Sequence, residues 1–106
     1  MGAKEELYSK GLDLFDEGKN EEAIEQYKKA LEEDSNDGEI YLAISIAYQQ
    51  LEDFDSALEA AKKSVEFDPK EPLVYTNLSR VYVKQGMIPE AEESMNASRH
   101  LSMGNM

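Results

Sequence analysis

The stretch that decides the fold is residues 41–69, YLAISIAYQQLEDFDSALEAAKKSVEFDP. Its first half places apolar residues three or four positions apart, which is the spacing of one face of an α-helix. The pair Glu52-Asp53 interrupts the pattern, and Phe54 resumes it. The second half ends at Asp68-Pro69, because a residue that precedes proline disfavours helical backbone angles. Two short amphipathic helices cannot bury both of their apolar faces alone, so we expect similar units packed on either side.

The same pattern recurs once before and once after this stretch, at a constant spacing. Four sets of equivalent positions hold small or large residues consistently: Ala23, Ala57 and Ala91; Gly11, Ser45 and Ser79; Leu7, Tyr41 and Tyr75; Leu14, Tyr48 and Tyr82. Small residues let two helix backbones approach, and large residues fill the gaps beside them. Gly18 and Gly86 occupy the expected turns of the outer copies, where the middle copy has Glu52. We expect the middle turn either to avoid a positive φ or to be modestly strained.

With a repeat period of about 34 residues, paired alanines and a Gly/Ser-to-Tyr spacing, the chain resembles the tetratricopeptide repeat family. The residues that carry the resemblance are KGLDLF at 10–15, followed by Gly18, Ala23, Tyr27 and Ala30, and Asp68-Pro69 at the end of the second copy. The family's usual large aromatic residue near the start of a repeat is Leu7 in the first copy. The resemblance implies an all-α, right-handed solenoid of three antiparallel helix-turn-helix repeats, at about 4–37, 38–71 and 72–105, forming one domain over residues 1–106.

Local signals predict where several helices begin and end. Asn20 is the predicted cap of the second helix of the first repeat. Pro72 and Pro89 suit the first turn of the fifth and sixth helices, where a missing N–H costs nothing. We expect the last helix to end at about Leu101 and the tail Ser102–Met106 to be frayed.

The acidic charge of the chain is concentrated in its first two repeats. The net charge of −12 divides into −7 over residues 1–37, −5 over 38–71 and zero over 72–106. Such a surface should repel nucleic acids and anionic membranes. Two interpretations remain open: solvated helix faces that keep the protein soluble, or steering of a basic partner.

Bulk composition excludes several other classes of protein. There is no cysteine, so disulfides and thiolate metal sites are excluded. No apolar run approaches the roughly 20 residues of a membrane span, and the first residues lack an apolar signal core. We therefore expect a cytoplasmic protein without cofactor or metal.

The sixth predicted helix is polar where earlier repeats are apolar. Glu92 corresponds to Ile24 and Leu58, and Arg99 corresponds to Leu31 and Val65. Terminal repeats need a wetted outer face, so we expect the array to end here by its own sequence. The alternative is a piece cut from a larger multidomain protein.

The resemblance implies that the first helix of each repeat lines a concave groove that holds a protein or peptide ligand. The implied groove residues are Tyr8, Leu12, Phe15, Leu42, Ala43, Ile46, Gln49, Gln50, Leu73, Thr76, Asn77, Arg80, Val83 and Lys84. Most of the groove residues from the first two repeats are apolar, which suits an extended peptide or an amphipathic helix as ligand. Tyr8 and Phe15 are the candidate anchors. Arg80 and Lys84 would bind an acidic end of the ligand. The alternative is that Leu12, Ile46 and Val83 are buried between adjacent helices.

One binding mode of the family is disfavoured. Members that hold the C-terminal carboxylate of heat-shock chaperones use Lys, Asn and Arg side chains, and the corresponding positions here are Tyr8, Leu12, Ala43, Leu73 and Asn77. A carboxylate needs charged or amide donors in fixed positions, and these residues offer almost none. The apolar groove and the acidic surface instead suggest a ligand that is amphipathic or partly basic. A homodimer that buries the groove is a second hypothesis.

The sequence offers little to an enzyme. His100 is the only histidine. The adjacent pairs Glu21-Glu22 and Glu92-Glu93 point in different directions on a helix, and no glycine-rich phosphate loop is present. We predict no catalytic residues and an interaction scaffold rather than an enzyme.

Overall fold

A computed structural model describes residues 2–104, and these residues form six α-helices and no strand. The helices are α1 (Ala3–Asp16), α2 (Asn20–Glu33), α3 (Gly38–Gln50), α4 (Phe54–Phe67), α5 (Pro72–Lys84) and α6 (Ile88–Gly104). They pack in chain order as hairpin one (α1 and α2), hairpin two (α3 and α4) and hairpin three (α5 and α6). The predicted all-α solenoid of three helical hairpins is confirmed. None of the helices described in residues 2–104 has the length and apolarity needed to cross a membrane.

The three hairpin turns share one backbone conformation. In each, an N–H after the turn donates to a carbonyl five residues earlier, from Lys19 to Leu14 (2.9 Å), from Asp53 to Tyr48 (3.0 Å) and from Met87 to Tyr82 (2.9 Å). This closure places one residue at positive φ, and φ is 80° at Gly18, 60° at Glu52 and 76° at Gly86. The middle turn therefore takes the second of the two predicted alternatives, a non-glycine residue in a strained left-handed conformation.

Side chains cap several helices, whereas the predicted cap of α2 is absent. The side chains of Asp37 and Asp53 cap α3 and α4, accepting from backbone N–H groups three residues on at 3.2 Å. The prediction of a cap at Asn20 is wrong, because α2 already begins there and Lys19 precedes it without a side-chain bond. The tight turn draws the Lys19 N–H back to α1, so the helix starts one residue earlier than the cap motif suggested.

Both prolines lie in the first turn of their helices, as predicted, but the last helix is longer than predicted. Pro72 is the first residue of α5, and Pro89 is the second residue of α6. The helix α6 continues to Gly104, so the predicted end at Leu101 and the predicted fraying from Ser102 are wrong for the described residues. Residues 105–106 lie outside the described part of the chain.

The residues at one interior helix crossing differ in size between hairpins one and two. A Cβ on Gly11 would lie 2.4 Å from the Tyr27 ring, so only glycine leaves room for that ring. At the equivalent positions hairpin two has Ser45 and Ala61, and the Ser45 hydroxyl instead donates to the Ala57 carbonyl at 2.8 Å. Tyr48 packs against the buried residues of both the first and the second half of the chain, which makes the interior continuous.

Candidate functional site

An open cleft of about 180 Å³ lies on the surface formed by α1 and α3. Its lining includes six of the predicted groove residues: Tyr8, Leu12, Phe15, Leu42, Ala43 and Ile46. Tyr27 and Glu39 also line it. The cleft is thus walled by apolar side chains from two hairpins, with one carboxylate among them.

Helical spacing aims these side chains at one another. Tyr8, Leu12 and Phe15 are separated by four and three residues on α1, so they share one face of that helix. Leu42 and Ile46 stand four residues apart on α3 and supply the opposite wall. The apolar stripes of α1 and α3, the inner helices of hairpins one and two, therefore face each other across a gap and create the cleft.

The exposure of individual residues decides between the two interpretations of this surface. Leu12 is 39% exposed and Val83 is 52% exposed, whereas Ile46 is half-buried. The alternative that all three are buried between helices therefore fails for Leu12 and Val83. An apolar side chain left this open at the mouth of a concavity is available for contact with a ligand.

The floor of the cleft is Tyr27, which is absent from the predicted groove residues. Tyr27 is 1% exposed, and its ring stacks at a tilt of 46° on that of Tyr8 with 5.7 Å between centroids. The ring reaches the cleft because Gly11 leaves the space above it empty of side chain. The sequence signal for this was the paired exchange of Gly11 and Tyr27 for Ser45 and Ala61 between repeats.

Carboxylates surround the two tyrosines. Burial raises the pKa of Tyr8, and the negative charges of Glu39 and Asp37 raise it further. Burial also raises the pKa of Tyr27, to about 12, with smaller contributions from Tyr8 and Asp16. Phenols in this setting stay protonated, so the cleft presents neutral aromatic surface beside negative charge.

A polar network occupies the contact between α3 and α5. The side-chain amide of Gln49 donates to Asn77 Oδ1 at 2.8 Å, and Asn77 Nδ2 donates to Ser45 Oγ at 3.0 Å. Asn77 is only 3% exposed, so its prediction as a groove-surface residue is wrong. The reason is that its amide, and much of that of Gln49, is used inside the protein to join the second and third hairpins.

The remaining predicted groove residues do not line the cleft. Leu73, Arg80 and Lys84 are exposed on α5. Val83 lines a separate depression formed by α5 and α6, together with Glu92 and Arg99. The structure therefore gathers the six apolar predicted residues of hairpins one and two, and it leaves Gln49, Gln50 and the predicted residues of α5 apart from them.

Residues with the potential for other chemistry are dispersed. His100 is exposed near the end of α6. Within residues 2–104, no three His, Cys, Asp or Glu side chains are grouped so that they could hold a metal ion.

Comparison with known proteins gives matches over most of the chain. A tetratricopeptide repeat model matches residues 14–76, and a second tetratricopeptide repeat model matches residues 60–93. The photosystem I assembly protein Ycf3 of Synechococcus sp. (strain CC9311) is 34% identical over 88 residues, which cover 80% of this chain and 51% of the relative. The chain therefore spans about half the length of the Ycf3 relatives that it matches.

Solved structures share the fold at lower identity. The Yersinia enterocolitica type III secretion chaperone SycD, in complex with a peptide of the translocator YopD, superimposes with a TM-score of 0.87 at 24% identity, over 92% of this chain and 74% of SycD. The second TPR of Spaghetti (RPAP3), bound to the HSP90 peptide SRMEEVD, gives 0.88 at 19% identity, over 92% and 91%. Repeats, hairpins and family matches agree, and the chain belongs to the tetratricopeptide repeat family.

Proposed function

We propose that this chain is a protein-interaction scaffold whose cleft between α1 and α3 binds the apolar side of an extended peptide or an amphipathic helix. The observation that carries the proposal is that six apolar residues of the implied groove line one open concavity. The ligand is a protein segment, amphipathic and partly basic, rather than a nucleic acid or a membrane, and the expected location is the cytoplasm.

The size of the cleft supports a peptide more than a cofactor. Its volume of about 180 Å³ is below the roughly 300–1,000 Å³ of small-molecule pockets. A space of this size takes one or two apolar side chains of a longer segment, and Tyr8 and Phe15 can contact them as aromatic anchors. The rest of the ligand would lie along the open faces of the inner helices.

Proteins of the same fold give general support. The structures of SycD and of Spaghetti (RPAP3) contain bound peptides, so this arrangement of helices accommodates peptide ligands in other proteins. The Ycf3 relatives are described as photosystem I assembly proteins. Holding another protein during assembly is consistent with a scaffold.

The experiment compares Leu12→Ser with Leu51→Ser, two variants of the same chemistry. Leu12 lines the cleft and Leu51 lies at the turn of hairpin two, and their exposed fractions are 39% and 38%. Peptides are selected from a random phage-displayed library on the wild-type protein, and dissociation constants are measured for both variants. We expect Leu12→Ser to weaken binding about tenfold or more, with Leu51→Ser unchanged and both variants as helical as the wild type.

Two outcomes would overturn the proposal. Selected peptides that bind Leu12→Ser as tightly as the wild type would place the binding surface elsewhere. Sedimentation that shows a wild-type dimer, dispersed by Leu12→Ser, would mean that a second copy of the chain occupies the cleft instead of a foreign segment.

A further inference from the structure

The concave side of the solenoid carries opposite charges at its two ends. Hairpins one and two place Glu39 in the lining of the cleft and Asp16 near its Tyr27 floor. The third hairpin places Arg80 and Lys84 on α5. In the register of the repeats, Arg80 is equivalent to Leu12, and Lys84 is equivalent to Asp16. At the repeat position shared by Asp16 and Lys84, the charge therefore changes from negative in hairpin one to positive in hairpin three.

The negative end is not neutralised by a lysine in the cleft lining. Lys4 lies nearby, but its ammonium group is engaged by Asp37 at 2.9 Å and by Asp34 at 3.3 Å. Glu39 forms no ion pair with a side chain in residues 2–104. Its charge is available to a ligand that seats an apolar side chain beside it.

The positive end is equally available. Arg80 and Lys84 are one helical turn apart and exposed, so they lie on the same face of α5. Neither pairs with a carboxylate within residues 2–104. Residues 72–106 carry no net charge, so the whole of the −12 belongs to residues 1–71. Arg80 and Lys84 therefore form a local positive patch on an otherwise acidic protein.

From this charge map we infer that the ligand of the proposed groove is bipolar, with a basic segment over Glu39 and Asp16 and acidic side chains over Arg80 and Lys84. The inference rests on the proposed function and adds a ligand class and a direction of binding. Neighbouring helix axes lie about 8–10 Å apart, so the equivalent positions Asp16 on α1 and Lys84 on α5 are separated by roughly 20 Å, with Glu39 on α3 between these two helices. About six residues of extended chain, at about 3.3 Å each, span that distance.

The acidic group belongs to side chains within a continuing segment rather than to a terminal carboxylate. A terminal carboxylate is held by donors in fixed positions, and the one amide that α5 could contribute, Asn77, is buried and donates to Ser45. Arg80 and Lys84 are exposed and act as separate charges. Arg80 and Lys84 can therefore each pair with a flexible acidic side chain of the ligand.

The test uses synthetic peptides with one apolar core and different ends: KKALAALAEE, KKALAALAKK and EEALAALAEE. Affinities are measured at physiological salt, where screening over about 8 Å leaves mainly local pairs. We expect KKALAALAEE to bind about three- to tenfold more tightly than EEALAALAEE. We expect Glu39→Gln and Arg80→Glu each to weaken KKALAALAEE, whereas Arg80→Glu strengthens KKALAALAKK. C-terminal amidation of KKALAALAEE should leave its affinity unchanged.

Direction is read separately with a nitroxide attached to the basic end of KKALAALAEE. Its paramagnetic broadening should be stronger at backbone amides near Asp16 on α1 than at those near Arg80 on α5. Broadening centred on α5, or affinities that ignore both charge substitutions, would overturn the bipolar inference alone if Leu12→Ser still weakens every peptide. If Leu12→Ser weakens none of them, the proposed function itself fails.

Discussion

Hairpins one and two fill the same backbone arrangement with different pairs of residues. In hairpin one the inner helix contributes Gly11 and the outer helix contributes the large Tyr27. In hairpin two the inner helix contributes Ser45, whose hydroxyl bonds the partner helix, and the outer helix contributes the small Ala61. The two residues at this helix crossing must therefore be matched in size for the hairpin to pack. Which pair is used decides what surface the hairpin presents.

The surfaces that result are different. Above Tyr27 the contact between α1 and α3 stays open as the apolar cleft. Beside Ser45 the contact between α3 and α5 is closed by the amides of Gln49 and Asn77. One junction is therefore available to a ligand, and the other is used to fix the third hairpin in place.

The largest expected effect comes from breaking the size match in hairpin one. Tyr27→Ala should lower the free energy of unfolding by about 3–5 kcal/mol, because it leaves a cavity under Gly11. Gly11→Ser alone should cost about 1–3 kcal/mol through overpacking against the ring. Together the two changes reproduce the pair found in hairpin two, so the double variant should lose at least about 1 kcal/mol less than the sum. Urea denaturation of the four proteins measures this coupling.

Tyr8 supplies the control for that cycle. It stacks on Tyr27 but is not among the atoms nearest to a Cβ on Gly11. Gly11→Ser combined with Tyr8→Ala should therefore show little relief. Additive losses in the Tyr27 double variant would contradict the view that the two positions are matched in size.

The next effect tests the closed junction. Asn77→Ala should lower the free energy of unfolding by about 1–3 kcal/mol, because it leaves the Gln49 amide without its 2.8 Å acceptor in a half-buried site. Asn96→Ala, an exposed asparagine of α6, should change stability by less than about 0.5 kcal/mol. If both variants unfold at the same urea concentration, the network does not fix hairpin three.

The difference between the junctions also explains which features the sequence could predict. Periodic spacing within each helix was enough for the three hairpins, because neighbours three or four positions apart share a face. The apolar wall formed by Leu12 and Ile46 was implied by the resemblance to the tetratricopeptide repeat family. The burial of Asn77 was not predicted, because its hydrogen-bond partners are 28 and 32 residues away in the sequence. A repeat register places it on the groove, and only the packing of α5 shows that its amide turns inward.

Helix boundaries show the same limit at short range. Lys19 rather than Asn20 precedes α2 since a hydrogen bond back to α1 fixes the turn. Cap propensity describes one residue and the helix that follows it, and it does not include that closure. At Asp53 the side-chain cap and the hydrogen bond that closes the turn are compatible, and both form.

Alkaline pH should distinguish the hairpins as well. The pKa of Tyr27 is about 12 in the folded protein, mainly through burial, against about 10 when unfolded. The folded state thus holds this proton more tightly, and the resulting stability is complete below pH 10 and is lost as the pH rises towards 12. Urea midpoints should fall over that window, and the fall should be smaller in Tyr27→Phe, which has no ionisable group at this position.

Tyr8 contributes to the same window, because its pKa is also raised. The double variant Tyr8→Phe/Tyr27→Phe should therefore show the smallest alkaline loss. Identical midpoint curves for the wild type and the double variant would mean that the buried phenols of hairpin one do not control this loss.

The smallest expected effect concerns the third difference between the hairpins, the turn. Glu52 has φ at 60° where hairpin one has Gly18 at 80°. A left-handed non-glycine residue costs about 1–2 kcal/mol, and the greater flexibility of unfolded glycine offsets about 0.5–1 kcal/mol of it. Glu52→Gly should therefore raise the free energy of unfolding by roughly 0.5 kcal/mol. Gly86→Glu is the matched reverse change, since a Cβ there meets no atom within 4 Å, and it should lower stability by a similar amount. If Glu52→Gly instead destabilises the protein, the Glu52 side chain must stabilise hairpin two by more than its backbone strain costs, and the turns are then not equivalent in energy.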